Sequence, residues 1–272
     1  MHFKELRTIL ETKIAPKNYK KPNEFYGLQY GDLENEKNIK RILLTLDLNL
    51  EAIHHAIKNK VNLIISHHGL LMKPISYINK ILINKLNLLA KFPLNIYILG
   101  SSFIGAEEGV SETISNILYL RIEEIFRIKY NKNKLIPIGR ICTPLYYPNE
   151  DKENFTLEKL LKRIKINFST DKISYVGNLN RKIKKMCIVG GDTNNSEYLE
   201  KAKKHNCDCY ISSNINHEIS IIAKEIGLNL VNLSHHNTEF FALKKLNNYL
   251  SLEFPYDEFL LFETNDSFKT YF

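Results

Sequence analysis

The stretch Ile64-Ile65-Ser66-His67-His68-Gly69-Leu70-Leu71-Met72-Lys73-Pro74 decides how the rest of the chain is read. Its apolar start is the end of a buried strand, and the strand runs out into a histidine pair beside Gly69, a residue that permits a tight turn. Adjacent side chains on extended backbone point to opposite faces. His67 and His68 therefore serve one ion only through a turn, or two neighbouring ions with one imidazole each. A second stretch, Leu233-Ser234-His235-His236-Asn237-Thr238-Glu239, repeats the arrangement. An apolar run again ends in histidines, and Glu239 follows His235 at the i+4 position, so both project from one face of a helix that starts there. His236 then points elsewhere. Imidazole and carboxylate are the usual ligands of zinc, iron, manganese and nickel. A single histidine is more often a hydrogen-bonded core or surface residue, but two strand-end segments plus the His-x-x-x-Glu spacing favour a metal.

Working outward, the pattern alternates strands and helices. Ile42–Asp47 reads as a buried strand, Glu51–Lys58 as a helix capped by Asn49, Val61–Ile65 as the next strand, 76–90 as a helix and Asn95–Leu99 as a third strand. Residues 3–13 follow helical spacing, and Gly27 and Gly31 bracket a short strand. Ser111–Tyr119 is a helix after Gly109. A different region starts near 121, with strand-like Gly139–Cys142, a polar break at Asp151–Asn154 and a helix over Leu157–Ile166. Strands at Lys185–Val189, Asp208–Ser212 and Leu228–Leu233 then alternate with helices at Ser196–Lys204 and Glu218–Glu225. A helix to about Leu250 and a strand at Phe259–Phe262 close the chain. Alternation of this kind argues an α/β fold with largely parallel sheets.

Composition bounds the function classes. A hydrophobic share of 44% over 272 residues is enough for a sizeable core. No run approaches the roughly 18 apolar residues of a membrane span, and Met1-His2-Phe3-Lys4-Glu5-Leu6-Arg7 has no apolar signal core, so the expected location is cytoplasmic with no membrane partner. The net charge of +8 raises nucleic acid as a partner, but the lysines are scattered and no recognition motif accompanies them, which reads as general basic drift. Cys142, Cys187, Cys207 and Cys209 complete no zinc-ribbon spacing and read as buried thiols. His54-His55 reads as a helix flank and His217-Glu218 as a helix start with capping or surface roles. Gly190-Gly191-Asp192 offers backbone amides to a phosphate, but it lacks a full phosphate-loop pattern and reads as a tight strand-to-helix turn.

At these residues the chain resembles the NIF-three-like family, whose members carry the name GTP cyclohydrolase I type 2 homologue. Tyr26-Gly27-Leu28-Gln29-Tyr30-Gly31 is similar to the end of that family's Trp-Asp-Asn-x-Gly-Leu-x-x-Gly segment, with Asn23-Glu24-Phe25 where Trp-Asp-Asn would stand. Leu46-Asp47 and Ile64–Pro74 resemble its strand and its His-His-Pro-Leu-x-x-x-Pro signature, with Gly69 replacing the first proline. Ile138-Gly139-Arg140 resembles its Gly-x-Gly-Arg segment, Asp208–Asn214 its Asp-x-Tyr-Ile-Thr-Gly-Asp strand, and Ser234–Glu239 its Gly-His-x-x-x-Glu signature. The similarity spans almost the whole length.

The resemblance implies a NIF-three-like fold of two α/β domains with a metal cleft between them. Residues 1–125 form the first domain, completed by 234–272, and 126–233 form the second. It implies that His67, His68, His235 and Glu239 ligate one or two divalent ions per chain, with zinc, iron, manganese and nickel all open, and that the chain assembles as a homohexamer. It also implies metal-dependent hydrolase chemistry on a nucleotide or other small molecule. No catalytic residue can be named from the sequence. The family's metal-binding aspartate falls on Ile104, and the histidine of the same segment is also missing; Glu107 and Glu108 are the nearest acidic residues. That loss keeps open the alternative of a non-catalytic metal-binding scaffold or regulatory protein of the same fold.

Overall fold

The computed structural model describes residues 1–33, 39–71, 74–130, 134–148, 154–170, 173–192 and 194–264. Asp151, Lys152 and Glu153 of the expected polar break, and Met72 and Lys73 of the first histidine stretch, lie outside them. In chain order the elements are α1 (Phe3–Ile9), β1 (Gly27–Tyr30), β2 (Arg41–Thr45), α2 (Leu50–Lys58), β3 (Leu63–Ser66), α3 (Lys80–Lys91), β4 (Asn95–Ile98), α4 (Ser101–Gly105) and α5 (Val110–Ile117). There follow β5 (Leu120–Tyr130), β6 (Lys134–Pro144), α6 (Leu157–Asn167), β7 (Ser174–Val176), β8 (Met186–Asp192) and α7 (Ser196–Lys204). The chain closes with β9 (Cys209–Ser213), α8 (His217–Glu225), β10 (Asn229–Leu233), α9 (His235–Glu253) and β11 (Glu258–Phe262). A turn of π-helix, Leu10–Ile14, continues α1.

The described chain folds as two compact units, one of Met1–Phe103 with the chain from Phe240 onward, the other of Ile104–Glu239. The chain passes from the first to the second inside α4 and returns inside α9.

The first unit holds a five-stranded sheet in the order β1-β4-β3-β2-β11. Strands β4, β3, β2 and β11 are parallel, and β1 pairs antiparallel to β4 at the edge. β3 and β4 are buried at every position, which is why they read as unbroken apolar runs rather than as alternation. Leu43, Ile53, Ala56, Val61, Ile64, Leu94 and Ile96 share one core cluster with α2 packed over the strands. Each buried aliphatic side chain there contributes about 1.5–3 kcal/mol by leaving water. Asn49 caps α2 by accepting from Ala52 N at 2.8 Å, as its position predicts. The third helix starts later than its apolar pattern suggests, at Lys80 rather than 76, because Asn79 takes the capping position and accepts from Leu82 N at 2.9 Å.

The second unit holds a six-stranded sheet in the order β5-β6-β8-β9-β10-β7, with β8, β9 and β10 parallel at its centre. The sequence pattern foresees those three, but not the long hairpin of β5 and β6. Its register slips twice, between Ile122 and Glu124 and between Phe126 and Arg127, and each bulge shifts the side-chain alternation by one. Helix α5 lies against this sheet through Ser111, whose hydroxyl donates to Ile138 O at 2.7 Å and accepts from Gly190 N at 2.9 Å. A Cβ on Gly190 would come within 2.5 Å of Val110 Cγ1, so the glycine serves close helix–strand packing. Gly190 and Gly191 lie inside β8 rather than in the tight strand-to-helix turn expected of them, and Gly190 is committed to packing against α5. Arg140, buried on β6, donates to the carbonyls of Gly105 and Ala106 and pairs with Glu112 at 2.8 Å, which fixes the segment leading into α5. All four cysteines are buried and free.

Candidate functional site

In the first unit the histidine pair stands where β3 runs out of the sheet. The backbone beyond Ser66 keeps pairing on both sides: His67 N donates to Thr45 O at 3.1 Å, His68 N to Leu46 O at 2.9 Å, and Gly100 N to His67 O at 3.0 Å. Ser66 Oγ lies 3.1 Å from Leu46 O and 2.7 Å from His68 O, drawing the chain into a turn. The two imidazoles consequently lie side by side, with ring centroids 4.7 Å apart. The turn wins over the opposed orientation that extended backbone would impose. His67 is 2% exposed and meets Phe103 edge to face at 5.9 Å.

His68 is oriented by Asp47, whose Oδ1 lies 2.9 Å from Nδ1. An ionised carboxylate only accepts, so Nδ1 carries the proton, and the carboxylate fixes the direction of the ring. Gln29 holds the next turn, accepting from Leu70 N at 2.7 Å and donating to Leu71 O at 3.1 Å. A Cβ on Gly69 would lie 2.9 Å from Leu71 O, so glycine is the residue that this close turn admits.

In the second unit the His-x-x-x-Glu pair opens α9, directly after β10. His235 Nε2 and Glu239 Oε2 are 3.1 Å apart, with the glutamate side chain 1% exposed. The other ring nitrogen, Nδ1, lies 3.2 Å from Ser213 Oγ, and that hydroxyl donates to Gly191 O at 3.1 Å. The Ser213 hydroxyl thus ties one edge of the imidazole to the Gly191 carbonyl, while Glu239 stands at the other edge. Two neighbouring ligand atoms at about 2.0–2.2 Å from one ion are separated by roughly 3.3–3.5 Å when it is tetrahedral and about 2.9–3.0 Å when it is octahedral. The observed 3.1 Å lies in that range and is also the length of an ordinary imidazole–carboxylate hydrogen bond.

Ile104 is 8% exposed in the same unit. A Cβ built on Gly191 would lie 2.7 Å from Ile104 Cδ1 and 3.5 Å from Glu239 Oε1, so the isoleucine tip and the far carboxylate oxygen border the same small space. Glu107 and Glu108 are exposed, so neither side chain turns inward to replace a buried carboxylate.

The remaining histidines behave as their sequence context suggests. His54 is exposed on α2 and His55 packs on the Phe262 ring at 4.7 Å, while His217 is exposed at the first turn of α8 beneath the Asn216 cap. Sequence reasoning missed the orienting groups. Asp47 was visible only as a carboxylate ending a strand, and Ser213 only as a polar residue in the β9 run; what marks them is the neighbour that folding supplies.

Comparison with known proteins places these features in a family. A profile of the family described as DUF34/NIF3 (NGG1p interacting factor 3) matches residues 1–266. The GTP cyclohydrolase 1 type 2 homolog of Clostridium perfringens is 31% identical over 248 residues, covering 90% of each chain. Among solved structures, reduced HcgD from Methanocaldococcus jannaschii superposes with a TM-score of 0.79 at 25% identity, covering 97% of this chain and 98% of its own. A Bacillus cereus protein related to NIF3 gives a TM-score of 0.79 at 17% identity over 98% of each chain, a likeness of fold. With the profile matching residues 1–266, this chain belongs to the DUF34/NIF3 family.

Proposed function

We propose that the protein binds a divalent metal through His67, His68, His235 and Glu239 and is a metal-dependent hydrolase of a nucleotide or other small molecule. The observation that carries this reading is the His235–Glu239 pair, 3.1 Å apart, with the imidazole held from its other nitrogen by Ser213. Orientation of a ligating imidazole by a hydrogen bond to its other nitrogen is the usual arrangement at protein metal sites, and Asp47 provides the same for His68. Three imidazoles and one carboxylate suit zinc, iron, manganese and nickel alike. A divalent ion held there supplies Lewis acidity, polarising a carbonyl or imine-like carbon and lowering the pKa of water. GTP enters as substrate through the name of the Clostridium perfringens relative.

A second reading, a non-catalytic metal-binding scaffold or regulatory protein, is favoured by the apolar Ile104 beside Glu239. Turnover of GTP with and without added metal separates the two: metal-dependent turnover supports the enzyme, and bound metal without turnover supports the scaffold. Self-association as a homohexamer belongs to the same proposal. Tyr77, Ile78 and Ile81 are 74%, 54% and 63% exposed at the start of α3, an apolar surface of the kind another copy covers. Among the described residues no helix is long and apolar enough to cross a membrane. Four buried free thiols accord with the reducing cytoplasm, which we propose as its location.

A further inference from the structure

Within the second unit, a cavity of about 290 Å³ opens between the first turn of α8 and the strand pair β10–β7. The antiparallel register sets Leu230 opposite Val176 and Asn232 opposite Ser174, so these four share one face of the sheet. Leu230 and Val176, joined by Ile215, give the cavity an apolar wall. Asn232, Ser174 and His217 give it polar heads. Asn232 Oδ1 accepts from Ile215 N at 3.2 Å, which fixes the oxygen end of the amide. Its N–H₂ end has no partner among the described residues, and neither has the His217 imidazole or the Ser174 hydroxyl. The other polar groups at the rim are spent on the fold: Ser220 Oγ donates to His217 O at 2.6 Å, and Asn216 Oδ1 accepts from Ile219 N at 2.9 Å.

The lining selects a class of ligand. No lysine or arginine borders the cavity, although the chain carries a net charge of +8, and no aspartate or glutamate borders it either. A phosphate would be drawn to guanidinium or ammonium groups and a cation to carboxylates; this cavity offers neither. Its size stands at the lower end of ligand pockets, which run from about 300 to 1,000 Å³, so it takes one or two rings rather than a dinucleotide. A flat ring lays a face on the Leu230–Val176 wall and turns its heteroatoms to the polar side. There the Asn232 amide donates, while the Ser174 hydroxyl and the His217 imidazole each donate or accept. We infer that this cavity binds an uncharged planar heterocycle of nucleobase size, with Asn232 and His217 as the recognising side chains. The inference does not rest on the metal reading, since no proposed metal ligand borders the cavity.

Calorimetric titration and saturation-transfer NMR with adenosine, guanosine, cytidine and uridine, and with their monophosphates as charged counterparts, test this. At least one nucleoside should bind saturably, and its monophosphate should bind no tighter. His217→Ala removes an exposed ring whose backbone alone serves the helix. Asn232→Asp keeps the oxygen that Ile215 N needs and replaces the free donor by an acceptor. Each change should weaken the nucleoside about fivefold, the equivalent of one hydrogen bond. Circular dichroism checks the fold of both, and should Asn232→Asp not fold, His217→Ala decides alone. Absence of binding by every nucleoside would overturn the inference. So would wild-type affinity in the folded variants, which would place the ligand elsewhere on the chain, or a monophosphate that binds distinctly tighter than its nucleoside, which would show recognition of charge.

Discussion

Replacing Ser213 by alanine removes a hydroxyl that joins two groups: it is hydrogen-bonded with His235 Nδ1 at 3.2 Å and donates to Gly191 O at 3.1 Å. The serine is 1% exposed, so water does not readily take its place. Gly191 O keeps a second, longer contact from Ser212 Oγ at 3.4 Å, which softens the loss at the carbonyl. Losing one buried hydrogen bond under those conditions costs about 1 kcal/mol of stability, a fall in Tm of about 2–4 °C for a chain of this size. The effect on metal is larger. Without Ser213 the His235 ring loses the contact that steadies its Nδ1 edge, and such outer partners are worth about 10–100-fold in affinity, or roughly 1.4–2.7 kcal/mol. Competition against a zinc-sensitive chelating dye reads this directly, with a thermal melt of the metal-free protein as the control. An apparent Kd within twofold of wild type in a folded Ser213→Ala protein would refute the argument that Ser213 sets His235 for binding.

Asp47→Asn should weaken metal binding less than Ser213→Ala, by up to about tenfold, and the difference should shrink in high salt. The carboxylate is 51% exposed and its coupling to His68 is screened; a larger loss than for Ser213→Ala would contradict this. Burial raises the Cys142 thiol from 9.0 to about 11 and Cys207 to about 12. The unfolded chain releases those protons first, so stability held below pH 9 is lost between pH 9 and about 11–12; Tm should fall over that window, and Cys142→Ala should flatten the fall. Light scattering at micromolar concentration should give the mass of a hexamer. Ile81→Lys, at a position 63% exposed, should reduce it without lowering the far-ultraviolet dichroism; a monomeric wild type would remove the ring assembly.

Much of this fold can be read from the chain itself. The apolar runs of β2, β3 and β4, and of β8, β9 and β10, are strands buried on both faces, and the intervening helices announce themselves by period and, for α2, by Asn49 at its cap. What escaped is informative in physical terms. Leu120–Tyr130 hides because two bulges break its alternation, and β7 because three half-exposed residues carry no period. Gly100-Ser101-Ser102 looks like a loop, yet Glu24 makes it a helix start by accepting from Ser101 N at 2.8 Å, a contact 77 residues away in sequence. The candidate ligands were legible because histidine and glutamate are rare chemistry at recognisable spacing. Their orienting partners were not, since Asp47 lies 21 residues from His68 and Ser213 lies 22 from His235. Only pairing of β2 beside β3 and of β9 beside β10 brings them together.

The central proposal is that four side chains, His67, His68, His235 and Glu239, ligate divalent metal. Metal content per chain, measured by plasma mass spectrometry on protein purified without chelator, tests it most directly when the four alanine variants are measured beside the wild type. Removing one ligand of four leaves an ion more weakly held and more readily lost to buffer. The account predicts bound divalent metal in the wild type and a clear loss in each folded variant. Wild-type metal content in all four variants, or none in the wild type, would contradict it.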